Sequence, residues 1–371
     1  MGNLDLDTAL ASCNYYPVQI NLCRRVIWFA GIEREMYERA GFLVPKQARM
    51  SEERYGFNLD DVLLHDLSLP IGGAPSHYIF ISAFCCSTLL ARLLDEVPDC
   101  LVLKEPSALG QMAMLRYRPR NSGDGASPRQ LDSEWESEWQ TWAALAMRLL
   151  TRTFEPGQTV IVKAADVCNT MGEVILANDP RSKAVLLSVG LRTFILSVLK
   201  LENRRVWTRK RATFWHKTLT LFPALNEVNV PDLDDAEKAA YVWLVTAALW
   251  VRFRKQADPK RLVLMDGEEV SENPGNALQS VAAFFGLPLE ENRLEAILAD
   301  TVLSRHAKFQ GKAYDAATRR NDLADWEARF GADADRGMQW AASIQERLES
   351  DGVDLSSMAA SERKEVALCR E

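Results

Sequence analysis

The residues with the clearest chemical potential sit in one turn. His77-Tyr78-Ile79-Phe80-Ile81-Ser82 is a short β-rich run, and Ser82-Ala83-Phe84-Cys85-Cys86-Ser87-Thr88 leads from it straight into Leu89-Leu90-Ala91-Arg92. A turn at the carboxyl end of a strand and the start of a helix presents free backbone N–H groups and a positive dipole end to an anion. Ser87 and Thr88 suit both a helix cap and hydroxyl donation to a phosphate. Cys85 and Cys86 stand where the same dipole lowers a thiol pKa, which would favour redox or nucleophilic chemistry. No His or Asp is placed in sequence to serve them, and small residues packing a tight loop account for the pair more simply.

Charged groups recur at other strand ends. Lys104-Glu105 follows Leu101-Val102-Leu103, Lys163 follows Thr159-Val160-Ile161-Val162, and Arg192 comes shortly after Ala184-Val185-Leu186-Leu187-Ser188-Val189. Arg204-Arg205-Val206-Trp207-Thr208-Arg209-Lys210-Arg211, followed by Trp215, His216 and Lys217, is the strongest positive cluster. Such a run is either a solvated helix face or a place for phosphate, because Arg matches phosphate oxygens bidentately. His77 and His306 are further candidate bases, each equally readable as a structural histidine.

The elements that must position these groups follow from the pattern. In 371 residues, 47% hydrophobic and 26% charged, the chain has enough apolar matter for a core and is neither disordered nor collagen-like. Its formal charge of −7 is the wrong sign for a surface built to grip nucleic acid, so no nucleic-acid partner is expected. No signal peptide is read at the N-terminus. The apolar run around Tyr241 to Val251 is about half of what a membrane-spanning helix needs, so no membrane span is expected. Seven cysteines without paired CxxC spacing point to reduced thiols in a cytoplasm and to no zinc or other metal.

Short unalternated apolar runs separated by helical patterns describe strands buried on both faces. The expected fold class is α/β: a three-layer α/β/α arrangement around a mostly parallel sheet of about five strands. Residues 1–74 read as a mixed, more helical extension with an amphipathic helix from Trp28 to Ala40, residues 75–311 as the core, and residues 312–371 as a polar helical tail. Residues 118–134, rich in Gly, Pro, Ser and charge, read as an insertion loop.

Thr88-Leu89-Leu90-Ala91-Arg92-Leu93-Leu94-Asp95, then Pro98-Asp99 and Lys104-Glu105-Pro106, resembles the start of the sulfotransferase family. Residues 184–200 (AVLLSVGLRTFILSVLK) are similar to the family's second signature. Tyr241 to Arg254, Arg261 to Asp266, Glu268-Glu269, Asn273-Pro274 and Phe284-Phe285-Gly286-Leu287 resemble its C-terminal stretch. The resemblance spans about residues 77–310 and implies a P-loop-type fold and transfer of a sulfuryl group from 3′-phosphoadenosine 5′-phosphosulfate to a hydroxyl or amine.

It implies Cys85, Cys86, Ser87 and Thr88 around the donor's 5′ end, Arg192 and Ser197 at its 3′-phosphate with Arg305 and Lys308 nearby, and Glu105 as base. Phe84 stands where the family's loop carries Arg or Lys, Cys86 where it carries Gly, Val189 where the second signature has its first Arg, and Leu191 where it has Pro. A substitute cation is therefore expected among Arg92, Lys104, Lys163 and Arg192, with Lys104 and Lys163 joining Glu105 as catalytic candidates. Two other readings remain at this stage. One is a non-catalytic module of the same fold, and the other a phosphotransferase in which Asp266, ending Leu262-Val263-Leu264-Met265, would hold Mg²⁺.

Overall fold

The computed structural model describes residues 4–68, 75–117, 133–299 and 316–359. Among the described residues eight strands form two sheets: β1 (Tyr15–Asn21), β2 (Val26–Gly31), β3 (Tyr55–Asn58), β4 (Ser76–Ile81), β5 (Cys100–Lys104), β6 (Thr159–Lys163), β7 (Ala184–Ser188) and β8 (Leu262–Asp266). The central five-stranded sheet has the order β5-β6-β4-β7-β8, and helices flank it, as the apolar runs predict. All six residues of β4 are buried, which is why that run shows no alternation. The β4·β6 and β5·β6 pairs are parallel, with His77 opposite Ile161 and Lys104 opposite Lys163.

The chain divides into two compact units. The first comprises Met1–Phe80, Ala91–Ala184 and Ala282–Ile297. Its N-terminal part carries the expected helices, among them Leu6–Ala11, Arg34–Arg39 and Leu59–Ser68, together with an antiparallel sheet β1-β2-β3. The helix expected from Trp28 to Ala40 is therefore corrected: Trp28 lies in β2, opposite Gly56, and helix begins at Arg34. Val26-Ile27-Trp28-Phe29 is β-branched and aromatic, and pairing on both edges outweighed the helical spacing of its apolar residues. Arg152 closes this region by donating to the carbonyls of Ala9, Ser12 and Tyr15.

The second unit comprises Ile81–Leu90, Val185–Val281 and Leu298–Glu371. Helices Leu191–Leu199, Glu202–Thr218, Asp235–Gln256 and Ala316–Ser350 pack on one another in it. Asp234 starts the third of these with a capping box, accepting from Glu237 N at 2.9 Å while the Glu237 carboxylate accepts from Asp234 N. The 35-residue helix Ala316–Ser350 is the polar helical segment expected of the tail. Most of the expected insertion loop, residues 118–132, lies outside the described residues, and Ser133 opens helix Ser133–Leu150. Among the described residues no helix is long and apolar enough to cross a membrane.

Candidate functional site

In the second unit, Ser82 N donates to Leu187 O at 3.1 Å and ties the end of β4 to β7 before the chain turns. Ala83, Phe84 and Cys86 then all have positive φ, of 63°, 53° and 60°. Each non-glycine residue held there costs about 1–3 kcal/mol, and such strain persists where the surroundings over-determine the backbone. Left-handed residues in tight turns are a recurring part of the backbone nests that take anions. Ser87 and Thr88 open helix Ser87–Asp95 and are buried, Cys85 is buried, and Cys86 is half-buried. Among the described residues no disulfide joins the cysteines.

Gly267, which composition and motif reading passes over, fixes this loop. A Cβ there would lie 2.8 Å from the Cys85 carbonyl carbon and closer still to its oxygen, so the loop rests directly on the start of helix Gly267–Glu272. The sequence signal is a Gly opening a helix immediately after an apolar strand. Asp266, the candidate Mg²⁺ ligand, caps that helix by accepting from Glu268 N at 2.9 Å.

Phe84 faces the second signature and the basic run. Its ring lies 5.8 Å from that of Phe194 and 5.1 Å, edge-on, from that of Trp207, and the Arg204 guanidinium lies over it at 4.5 Å. The rest of the basic run is divided in use. Arg205 and Arg209 pair with Glu202, and Arg209 also with Asp235, while Arg211 lies among the rings of Trp207, Phe214 and Trp215.

The residues expected at a 3′-phosphate are differently placed. Arg192 binds Glu327 bidentately and Asp335 at 2.7 Å, both from helix Ala316–Ser350, and these contacts raise its pKa further. Ser197 is buried, at 2% exposure. An incoming phosphate would have to displace two carboxylates to reach Arg192. Arg305, Lys308 and His306 lie outside the described residues.

In the first unit, Glu105 N donates to Lys163 O at 2.7 Å, extending the β5·β6 pairing by one bond. Glu105 then adopts φ 51°. Its carboxylate pairs with the Lys163 ammonium, which is 1% exposed and lies over the Phe42 ring, whereas the Glu105 side chain is 26% exposed. A buried cation thus orients a carboxylate that solvent reaches, at the carboxyl ends of two parallel strands. This arrangement can accept a proton.

Lys104, the other catalytic candidate, is used up inside the protein. Its ammonium donates to Asp95 at 2.5 Å and to the carbonyls of Tyr37 and Glu38, and the residue is fully buried. Burial pushes the Asp95 carboxyl up, against the pull of Lys104. Removing one member of a buried pair leaves an uncompensated charge. Lys104→Met is therefore expected to cost about 3–5 kcal/mol in urea unfolding, with much of it regained in the double variant with Asp95→Asn. Wild-type stability with turnover alone lost would return Lys104 to the catalytic set.

His77, the fallback base, is enclosed as well. It stacks on Phe285 at 4.7 Å and accepts from Lys183 N at 3.1 Å. Burial, reinforced by Lys183, lowers its pKa to about 4, so it is neutral at physiological pH.

Among curated proteins none matches the chain. Several solved structures are similar at low identity. The sulfotransferase domain from the curacin biosynthetic pathway is 14% identical, with a TM-score of 0.36, covering 67% of this chain and 87% of that one. The sulfotransferase domain from the Synechococcus PCC 7002 olefin synthase is also 14% identical, with a TM-score of 0.37 and coverage of 71% and 97%. For a sulfotransferase from Alicyclobacillus acidocaldarius the identity is 14%, the TM-score 0.35 and the coverage 70% and 97%. At these scores the likenesses are loose. The family model described as a sulfotransferase domain matches residues 209–341, which include Gly267 and Glu327 but neither the loop at Ser82–Thr88 nor Glu105. The match covers a little over a third of the chain.

Proposed function

We propose that the chain is a sulfotransferase. In this reading the α/β core of about residues 75–311 transfers a sulfuryl group from 3′-phosphoadenosine 5′-phosphosulfate to a hydroxyl or amine. The observation that carries it is the Ser82–Thr88 loop, held left-handed at three non-glycine residues and leading into a helix N-terminus. Backbone N–H groups of Cys85, Cys86, Ser87 and Thr88, with the two hydroxyls, would hold the donor's 5′ anion.

The acceptor oxygen or nitrogen forms the new bond to sulfur, the bond from sulfur to the 5′-phosphate oxygen breaks, and adenosine 3′,5′-bisphosphate leaves. Glu105 takes the acceptor's proton, and Lys163 orients it. The donor is a substrate, and the reaction calls on no metal. A reducing, cytoplasmic setting is part of this reading and rests on the thiols, which no disulfide joins among the described residues.

Calorimetric titration with adenosine 3′,5′-bisphosphate tests it, with AMP and ATP as controls and with and without Mg²⁺. Micromolar, metal-independent binding that needs the 3′-phosphate is expected. Absence of binding, or binding of Mg-ATP alone, overturns the proposal. The engagement of Arg192 by Glu327 and Asp335 favours one second reading, a non-catalytic module of this fold. Nucleotide binding indifferent to the 3′-phosphate, without turnover, is its signature.

A further inference from the structure

Arg192, in the first turn of helix Leu191–Leu199, is engaged by helix Ala316–Ser350 of the same unit. All three of its guanidinium nitrogens donate to carboxylates: Nε and Nη2 to the two oxygens of Glu327, and Nη1 to Asp335 at 2.7 Å. An arginine grips a phosphate through the same planar fork, so the two acids occupy the directions that a phosphate would take. Gly331 lies between them in the sequence. A Cβ there would stand 2.9 Å from Glu327 Oε1 and 3.8 Å from Arg192 Nη2. A mid-helix glycine is unfavourable against alanine, and here it leaves the room that the Glu327 carboxylate uses.

This clamp is separate from what holds the helix in place. Gly337 packs on the Ala236 carbonyl oxygen and the Ile195 side chain, where a Cβ would come within 3.0 Å of both. Arg336 pairs with Asp234, Arg347 pairs with Glu227, and the Lys200 ammonium lies over the Trp326 ring at 3.3 Å. The Glu327 and Asp335 side chains are 45% and 61% exposed. Their carboxylates can turn into water while the helix stays, and exposed pairs of this kind are weak enough to be displaced. A free anion arriving at Arg192 must compete with two acids tethered beside it. A ligand already anchored elsewhere on the protein presents its phosphate at a high effective concentration and wins that competition.

We propose that Glu327 and Asp335 are specificity-determining residues: they hold Arg192 as stand-ins for the donor's 3′-phosphate and yield it to a nucleotide that is also anchored through its 5′ anion. This rests on the donor reading above and extends it to two acids on another helix.

The test compares calorimetric affinities of the intact protein for adenosine 3′,5′-bisphosphate and for AMP, which carries the 5′ anion alone. Glu327→Gln combined with Asp335→Asn should tighten the bisphosphate by about two- to thirtyfold, the range for two exposed pairs, and leave AMP unchanged. Arg192→Met should weaken the bisphosphate alone, and in that background the double substitution should bring no gain. Gly331→Ala displaces the Glu327 carboxylate without changing any charge and should also tighten the bisphosphate, which serves if the double variant does not fold. Asp325→Asn combined with Asp333→Asn removes as much charge from the same helix and should bind both ligands as wild type does.

If wild type binds the bisphosphate in preference to AMP and the Glu327→Gln, Asp335→Asn variant binds it no more tightly, this proposal falls and the donor reading stands. Tighter binding of both ligands, or an equal gain in the Asp325→Asn, Asp333→Asn variant, would assign the effect to the general field of an acidic helix and also overturn it. If neither wild type nor the Glu327→Gln, Asp335→Asn variant binds the bisphosphate, both readings fall together.

Discussion

Gly267→Ala is expected to cost at least tenfold in affinity for adenosine 3′,5′-bisphosphate and about 1–3 kcal/mol of stability. The reason is geometric. The added methyl meets backbone atoms of Cys85, its carbonyl carbon at 2.8 Å and its Cα at 3.1 Å, and backbone cannot swing aside as the end of a side chain can. Either β8 and the helix after it retreat or the loop does. The loop already holds Ala83, Phe84 and Cys86 in left-handed conformations and has little freedom to absorb a shift. Its N–H groups are the proposed anion site, so displacement appears as lost binding as well as lost stability. Gly110→Ala is the control: its Cβ would meet only the Val167 side chain at 3.9 Å, within helix Ser107–Leu115, and there Ala is expected to be neutral or stabilising. Urea unfolding and calorimetric titration of both variants check this. Wild-type affinity in Gly267→Ala would mean that the loop's backbone does not hold the donor.

The same region shows what sequence can and cannot disclose. The central strands are legible because each is a short run of mostly apolar residues with no polar alternation, the mark that burial on both faces leaves on β4, β5, β6 and β7, while β8 is half-buried. The turn after β4 is legible as a tight link between a strand and a helix from its position. What the sequence conceals is side-chain partnership across long separations. Lys104 and Lys163 look alike at the ends of adjacent strands, but one side chain is consumed by Asp95 and two carbonyls while the other meets Glu105. Arg192 and Arg204 are both cations near the second signature. A helix more than a hundred residues further on supplies the carboxylates that engage the first, and a loop more than a hundred residues earlier supplies the ring beneath the second. Strand β2 was concealed for another reason, since six residues of mixed aromatic and β-branched type fit either period until their neighbours are known.

Glu105→Gln is expected to lower turnover by about a hundred- to ten-thousandfold while leaving adenosine 3′,5′-bisphosphate affinity at the wild-type value. The amide preserves volume and hydrogen-bonding reach but cannot take a proton, so the loss isolates proton transfer from packing. Glu105 N is already satisfied by Lys163 O and the side chain is 26% exposed. The Lys163 ammonium, 1% exposed, loses its counter-charge, so urea unfolding of the variant is read beside turnover to separate a stability loss from a lost base. Lys163 remains enclosed over Phe42, and it can still donate to the amide oxygen. Single-turnover release of adenosine 3′,5′-bisphosphate from the donor, in a pooled mixture of phenol, sugar and amine acceptors, reads the step before any acceptor is known. A kcat within threefold of wild type would remove Glu105 as the base. Equal losses in kcat and in bisphosphate affinity would instead assign it to the binding framework, because a proton acceptor acts on the transition state and a framework residue acts on both.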